Sequence, residues 1–247
     1  PCLVYAAAVA VANDEVSCRA LDNAACAMEL VHTYSLIHDD LPSMDDDDLR
    51  RGKPTLHVKE GEAMAVLAGD AMMSLAFELI ATRMKSADTA LEVIRELSVG
   101  TNDMIVGQVQ DTLPLEPSDQ DPLDRLEEIH KNKTGALLRA ACRMGGICGG
   151  ANAKQLASLT VYAQATGLMF QAVDDLLDVT STPENLGKAV RKDAEMGKLT
   201  YPGVLGLDGT REQIESLHTE ATVALEGFDE RANPLRELCD YLAVREK

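Results

Sequence analysis

No stretch of this sequence alternates apolar and polar residues in the way that a half-buried β-strand does. Alanine, leucine, methionine, glutamate and lysine dominate instead, and aromatic residues make up only 3% of the 247 residues. The dominant residues have high helix propensity, whereas β-branched and aromatic runs are typical of strands. The sequence therefore predicts an all-α chain.

Apolar periodicity and clusters of glycine, proline and asparagine set the predicted helix boundaries. The predicted helices cover residues 2–12, 18–40, 60–83, 87–111, 122–146, 153–179, 211–225 and 233–246. No internal repeat and no linker of different composition divides the chain. We therefore expect one helical domain that covers residues 1–247.

Composition limits the possible partners. The chain carries 41 acidic and 23 basic residues and a net charge of −18, which opposes binding to nucleic acid. Its uninterrupted apolar runs are shorter than the roughly 20 residues that a membrane-spanning helix needs. The six cysteines form no CxxC pair, as is typical of a reducing compartment, and no targeting segment is recognisable. We expect no nucleic-acid partner, no membrane span and a cytoplasmic location.

The segment SLIHDDLPSMDDDDLRRGKPT, residues 35–55, places six aspartates within ten residues, from Asp39 onwards. Asp39 lies at the end of a predicted helix, with Asp40 next to it. A step of six residues to Asp45 does not return to the same side of an ideal helix, and Pro42 disturbs the turn between them. A loop must therefore redirect Asp45.

A second acidic cluster, FQAVDDLLD, covers residues 170–178. Gln171, Asp174 and Asp178 are spaced i, i+3, i+7, so they lie on one face of an otherwise apolar helix. Mg²⁺ could neutralise such carboxylates, since it prefers oxygen ligands and usually binds through one or two carboxylates together with substrate phosphates. Two such clusters on facing helices could hold a diphosphate through Mg²⁺ and make it a good leaving group.

Basic residues follow both acidic clusters. Arg50 and Arg51 come directly after the first cluster, and lysines lie at helix ends or in the loop after the second. Guanidinium and ammonium groups in these places could bind phosphate oxygens. The lysines concerned are Lys133, Lys188, Lys192 and Lys198.

The two acidic motifs, with AVLAGDAM, GQVQD, HKNKTGALL and LGKAVRKDAEMGKLTYP in order, resemble those of the trans-isoprenyl diphosphate synthases. The resemblance extends from residue 1 to about residue 207. It implies an all-helical bundle around a deep central cavity, generally a homodimer. It also implies head-to-tail elongation, in which isopentenyl diphosphate condenses with an allylic diphosphate.

The same resemblance implies roles for the candidate residues. Three Mg²⁺ ions are expected on Asp39, Asp45 and Asp174, with their neighbours Asp40 and Asp178. The leaving diphosphate is expected to contact Arg50, Lys133, Lys188 and Lys198. Lys133, Thr134 and Gln171 match residues that shield the allylic cation, and His32 and Arg51 match residues that bind isopentenyl diphosphate.

One family segment, Gly-Lys-Arg-x-Arg-Pro, also binds isopentenyl diphosphate. The present sequence opens at what resembles the final proline of that segment, Pro1. We therefore expect that the N-terminal segment of the domain is missing from this sequence.

Product length should depend on what closes the cavity beneath the first acidic motif. Tyr34 lies five residues before Asp39, about 7.5 Å along the helix axis, and a bulky ring there would stop a growing chain early. Together with the inserted Leu41 and Pro42, this aromatic resembles bacterial farnesyl diphosphate synthases, so we expect a C15 product. Because the neighbouring Ser35 is small, a C20 product, geranylgeranyl diphosphate, is the alternative.

Two other functions compete with the synthase. The sequence IHDD contains the His-Asp pair of helical metal phosphohydrolases, but that function leaves the second acidic cluster unexplained. A non-catalytic subunit of a heteromeric prenyl synthase is also conceivable. The intact aspartates in both clusters favour a catalytic chain.

Overall fold

We describe a computed structural model of the chain over residues 1–12, 18–113, 119–180 and 198–245. Helices form nearly all of these residues, as the sequence predicts. The helices are α1 Cys2–Val11, α2 Cys18–Asp39, α3 Leu56–Glu60, α4 Glu62–Arg83, α5 Ala87–Thr112, α6 Pro122–His130, α7 Ala136–Cys148, α8 Ala153–Thr180, α9 Tyr201–Ala224 and α10 Asn233–Val244. A π-helical turn, Lys131–Gly135, joins α6 to α7, and a 3₁₀ turn, Glu230–Ala232, precedes α10.

The main departure from the predicted helices is at the start of α9. The sequence predicts a helix only from residue 211, because glycines and a proline precede it. In the structure Thr200 caps a helix that begins ten residues earlier, with its hydroxyl accepting from the amide of Gly203 at 3.2 Å. Proline is favoured in a first helical turn, so Pro202 supports this start. The helix is instead interrupted at Gly206, where φ is 72°.

A short hairpin, which the sequence does not predict, follows the first acidic cluster. Its two strands are β1 Leu49–Arg50 and β2 Lys53–Pro54, paired antiparallel. Arg51 and Gly52 form the turn with φ values of 53° and 73°, as expected for a two-residue hairpin turn with both central residues left-handed. Strands of two residues are too short to show a period of two in the sequence.

The core consists of two apolar clusters that meet at α1 and α7. One cluster surrounds α8 and includes Tyr162 and Leu235, and the other surrounds α2 and includes Val31 and Leu97. Gly145 lets α7 approach α1 closely, because a Cβ there would lie 2.2 Å from the carbonyl oxygen of Val4. The two halves of the helical bundle are thus packed into one domain.

Helix α4 is apolar along its length. Among the described residues it is the one helix long and apolar enough to cross a bilayer, with a mean hydropathy of 1.6 over 18 residues, of which 22% are buried. Our expectation of no membrane span counted only uninterrupted apolar runs, and it stays a prediction. In the structure α4 packs along α2 and forms one wall of the cavity described below.

Candidate active site

A cavity of about 810 Å³ lies between α2, α4, α5, α7 and α8. This volume is at the upper end of the range for small-molecule sites. Apolar side chains form most of the wall, among them Leu36, Val66, Met73, Met104, Leu137 and Phe170. Polar side chains enter it from Asp39, Gln108 and Lys133, which interact with one another. The cavity therefore suits an apolar chain that carries a charged group at one end.

Asp39 is the last residue of α2 and lines the cavity. The side-chain amide of Gln108 donates a hydrogen bond to its carboxylate. Burial raises the pKa of Asp39; the negative charges of Asp45 and Asp111 add to the increase, and Lys133 opposes it. An ionised Asp39 thus lies beside other negative groups, where a bound cation would be stabilised.

The predicted redirection of Asp45 is confirmed. Helix α2 ends at Asp39, and the chain turns so that the amide of Asp45 donates to the carbonyl oxygen of Asp39 at 2.9 Å. The turn brings the Asp45 carboxylate close enough to affect the charge state of Asp39. The first acidic cluster therefore places the carboxylate of Asp39, at the end of α2, near that of Asp45, in the turn that follows.

Asp40 has a different environment from Asp39. Its side chain is buried and forms an ion pair with Arg50, whose Nε lies 2.8 and 3.0 Å from the two carboxylate oxygens and whose Nη2 lies 2.6 Å away. The hairpin that carries Arg50 makes this contact possible. Asp40, which the sequence predicts as a metal ligand, is not among the residues that line the cavity.

Two of the predicted substrate lysines meet at Asp111, near the end of α5. Its carboxylate lies 2.7 Å from the Nζ of Lys133 and 2.9 Å from the Nζ of Lys198. Burial acts to raise the pKa of Asp111, but the two lysines outweigh burial and the pKa is lowered. Sequence analysis gave Asp111 and Gln108 no role in substrate binding; their i, i+3 spacing in GQVQD places them on one helix face, where they could cap or cross-link helices.

The π-helical turn positions Lys133 and Thr134. Gly107 allows the turn to lie directly on α5, because a Cβ at Gly107 would be 2.1 Å from the backbone nitrogen of Lys133. On the other side, the hydroxyl of Thr134 donates to the side-chain oxygen of Gln171 at 2.7 Å. The turn is therefore fixed between α5 and the helix that carries the second acidic cluster.

The second acidic cluster contacts a residue that sequence analysis missed. Asp174, one helical turn after the cavity residue Phe170, forms an ion pair with Arg245. The guanidinium of Arg245 also donates to the carbonyl oxygen of Phe170 at 3.2 Å and lies 4.1 Å from the centre of its ring. Asp178 lies half-buried one turn further along α8. No motif surrounds Arg245 in the sequence, so only the packing of the chain end reveals it.

The predicted isopentenyl diphosphate residues are close to each other. His32 lines the cavity, and its pKa is lowered by burial, with Arg51 adding to the decrease and Glu29 opposing it. Arg51 is solvent-exposed in the hairpin turn. The charge of Arg51 thus acts on His32, which is the one of the two that lines the cavity.

The predicted chain-length residues also line the cavity. Tyr34 is 6% exposed, and its ring packs edge-on against His38 with the ring centres 5.7 Å apart. The hydroxyl of Ser35 donates to the carbonyl oxygen of His32 at 2.8 Å. Lys188 and Lys192 lie outside the described residues.

The donor set fits Mg²⁺ without forming a complete metal site. Within the described ranges, no three His, Cys, Asp or Glu side chains converge in a way that could hold an ion. Mg²⁺ needs only one or two carboxylates when substrate phosphates supply further ligands. Asp39, half-buried and beside Asp45, offers oxygen donors of this kind.

Comparison with known proteins identifies the family. The family model described as Polyprenyl synthetase matches residues 1–230. The chain belongs to the polyprenyl synthetase family. Geranylgeranyl pyrophosphate synthase 11 of Arabidopsis thaliana is 47% identical over an alignment of 253 positions, which covers 99% of this chain and 70% of that protein. The geranylgeranyl pyrophosphate synthase of Catharanthus roseus is 48% identical over 90% of this chain and 63% of its own length.

Solved structures of polyprenyl synthetases share the fold. Geranylgeranyl pyrophosphate synthetase of Pyrococcus horikoshii has a TM-score of 0.87 at 28% identity, covering 99% of this chain and 85% of its own. An FPP/GFPP synthase of Zymomonas mobilis has a TM-score of 0.82 at 34% identity, covering 98% and 81%. Geranyltransferase of Helicobacter pylori, solved with magnesium and isoprenyl diphosphate, has a TM-score of 0.80 at 32% identity, covering 98% and 82%.

Family membership confirms the resemblance found in the sequence. The chain is a trans-prenyltransferase of the short-chain isoprenyl diphosphate synthase type, with the all-helical isoprenoid synthase fold. The phosphohydrolase and the non-catalytic subunit are therefore set aside.

Proposed function

We propose that this enzyme condenses isopentenyl diphosphate with allylic diphosphates and releases geranylgeranyl diphosphate, the C20 product. The observation that carries the proposal is the large apolar cavity with Asp39 and Lys133 together at its charged part. The names of the plant relatives support C20 over the C15 product expected from the sequence.

The position of Tyr34 is compatible with a longer product. Its ring is packed edge-on against His38 and belongs to the apolar core around α2. Such a ring forms part of the cavity wall, next to the small Ser35. The cavity wall also includes Met73 and Met104 from the opposite helices, so the growing chain can extend between them.

The diphosphate of the allylic substrate would bind at the charged part of the cavity. Lys133 and Lys198, which Asp111 holds together, would supply ammonium groups to its oxygens, and Arg50 a guanidinium. Asp39, Asp45 and Asp174 would hold the magnesium ions, three in our proposal, which would neutralise the charge that develops on the leaving diphosphate. The Helicobacter pylori geranyltransferase was solved with magnesium, which supports magnesium as the ion.

The bond between the allylic carbon and the diphosphate oxygen breaks first and leaves an allylic cation. Thr134 lines the cavity, and its hydroxyl donates to the side-chain oxygen of Gln171; we expect these dipoles to stabilise the cation, and the apolar walls exclude water. Isopentenyl diphosphate, held by His32 and Arg51, attacks the cation with its double bond. A proton then leaves for an oxygen of the released diphosphate, and a new double bond forms.

We also propose a homodimer through the outer face of α4 and α5. Exposed apolar side chains recur on that face, at Met64, Leu67 and Leu75 of α4 and at Val99 and Val106 of α5. Large exposed apolar surface is typical of an interaction site. Light scattering on purified protein should give twice the mass of the chain. Val106→Asp should shift it towards the monomer, whereas an unchanged mass would place the interface elsewhere.

Three expectations stay predictions. These are the cytoplasmic location, the missing N-terminal segment and the inclusion of residues 231–247 in the same domain. The two named plant relatives are chloroplastic, and α10 packs on α1 and α8.

Product analysis tests the proposal. Purified protein with Mg²⁺ and isopentenyl diphosphate is supplied with dimethylallyl, geranyl or farnesyl diphosphate, and the products are separated by chain length. The C20 product should dominate with each allylic substrate. A product mixture that stops at C15, or no elongation of farnesyl diphosphate, would overturn the C20 assignment.

A further inference from the structure

A buried polar cluster lies behind the cavity, between α6, α8 and α9. Asp175 is 7% exposed, and its carboxylate accepts a hydrogen bond from the backbone amide of Tyr201 at 2.9 Å. The same carboxylate oxygen lies 3.8 Å from the Nε2 of His130. The rings of His130 and Tyr201 are stacked with their centres 5.7 Å apart. We call Asp175, His130 and Tyr201 the buried triad.

Each member of the buried triad lies close in sequence to a residue of the site. Asp175 directly follows Asp174. His130 precedes Lys133 by three residues, at the start of the π-helical turn, and Tyr201 follows Lys198 by three. The triad therefore joins the three segments that carry the second acidic cluster and the two lysines.

The contact between the Tyr201 amide and the Asp175 carboxylate suits a negative charge with a structural role. Tyr201 is the first residue of α9, where backbone amides have no intrahelical acceptor and the helix dipole favours negative charge. The hydroxyl of Thr200 accepts from a different amide, that of Gly203. The side chains of Asp175 and Thr200 thus each accept from one of the free amides in the first turn of α9. A carboxylate committed to this amide, and buried, is poorly placed to bind an ion in the cavity.

We propose that Asp175 is a positioning residue, which fixes Lys198 and the Lys133 turn against the second acidic cluster and does not bind metal. The inference rests on the proposed function, since it concerns the same diphosphate site. It separates the two adjacent aspartates of DDLLD: Asp174 acts on the substrate side and Asp175 holds the segments together.

Paired substitutions at the two adjacent aspartates test the proposal. Asp175→Ala should lower kcat by about 10²-fold, the loss typical when a site group is displaced by about 1 Å. Asp175→Asn keeps an oxygen acceptor for the Tyr201 amide, so kcat should recover to within about tenfold of wild type. For Asp174→Asn, in contrast, the Mg²⁺ concentration for half-maximal rate should rise by at least about tenfold. That concentration should stay unchanged in Asp175→Asn.

A binding measurement adds a readout independent of prenyl transfer. Calorimetric titration with inorganic diphosphate in saturating Mg²⁺ should show weaker binding to Asp175→Ala and near wild-type binding to Asp175→Asn. A rise in the Mg²⁺ requirement of Asp175→Asn equal to that of Asp174→Asn would overturn the proposal, as would wild-type kcat in Asp175→Ala. If Asp175→Ala does not fold by circular dichroism, the Asp175→Asn and Asp174→Asn comparison still decides.

These experiments distinguish a failure of the proposed function from a failure of the positioning role of Asp175. If the wild-type protein makes no prenyl product, the proposed function fails whatever the variants do. If the wild type is active and the Asn variants at positions 174 and 175 behave alike, only the positioning role fails.

Discussion

At the scale of single residues, the carboxylate of Asp111 holds the ammonium groups of Lys133 and Lys198 at 2.7 and 2.9 Å. These two lysines come from segments far apart in sequence, and both are predicted to contact the diphosphate. One carboxylate thus keeps two cations close together before any substrate binds. This arrangement reduces the cost of bringing like charges to one anion site.

Asp111→Asn should destabilise the fold in a pH-dependent way. The folded pKa of Asp111 is lowered, so its ionised form stabilises the folded state. This stabilisation is complete above the ordinary aspartate pKa of about 3.9 and is lost as the pH falls through the lower folded value. Urea unfolding should show wild type more stable by about 1.5–3 kcal/mol at pH 7. The difference should shrink in acid, and a difference independent of pH would contradict the ion-pair explanation.

Asp39→Ala and Asp174→Ala should each lower turnover by at least about 10²-fold, because electrostatic stabilisation of the leaving diphosphate is lost. The fold should persist, since removing the Asp39 carboxylate relieves repulsion from Asp45 and Asp111, and Asp174 is partly exposed beside its partner Arg245. Initial rates with isopentenyl and allylic diphosphates measure the effect. Asp208→Ala is the control, because that aspartate is 95% exposed and pairs only with Arg211 among the contacts described for it. Unchanged turnover in either site variant would remove that residue from the site.

Substitutions at the cavity wall should change product length in opposite directions. Tyr34→Ala enlarges the cavity beneath Asp39, so products longer than those of wild type should appear. Ser35→Phe fills space beside it, so the products should shorten towards C15. Separation of the products by chain length measures both. If both variants give the wild-type distribution, the length limit lies elsewhere in the cavity.

At the scale of elements, the close contact between α5 and the π-helical turn positions Lys133. The contact depends on Gly107, which has no side chain to separate the two backbones. π-Helical turns often occur at functional sites. Here the turn changes the direction of the chain between α6 and α7 and directs Lys133 and Thr134 towards the cavity.

Gly107→Ala should therefore displace the turn and reduce turnover by about 10²-fold, the loss expected for a shift of about 1 Å at the site. The added methyl would lie 2.1 Å from a backbone nitrogen, which cannot move as a flexible side chain could. Gly227→Ala is a matched control, because nothing lies within 4 Å of its Cβ position. Wild-type turnover in Gly107→Ala would show that the turn can shift without effect on catalysis.

The sequence predicted the long helices because their apolar residues recur with helical periodicity. It missed the start of α9, where capping by Thr200 outweighs the glycines, and the hairpin, whose strands have two residues each. In the site, the aspartates and lysines were found from motifs with family-like spacing. Asp111, Asp175 and Arg245 were missed because their roles arise from contacts between distant segments, which spacing in one sequence does not show.

At the scale of the whole molecule, a net charge of −18 is combined with a binding site for anionic substrates. The basic side chains of that site are held by acidic partners: Arg50 by Asp40, Lys133 and Lys198 by Asp111. The acidic partners hold these cationic groups near the site, although the net charge of the molecule repels anions. Divalent ions bound with the substrate would reduce that repulsion further.

The coupling between diphosphate release and consumption of isopentenyl diphosphate tests the central claim most directly. With Mg²⁺ and geranyl diphosphate, the wild-type protein should release one diphosphate for each isopentenyl diphosphate consumed, and chelation of Mg²⁺ should stop the release. Diphosphate or phosphate released at the same rate without isopentenyl diphosphate, or undiminished after chelation, would contradict the account.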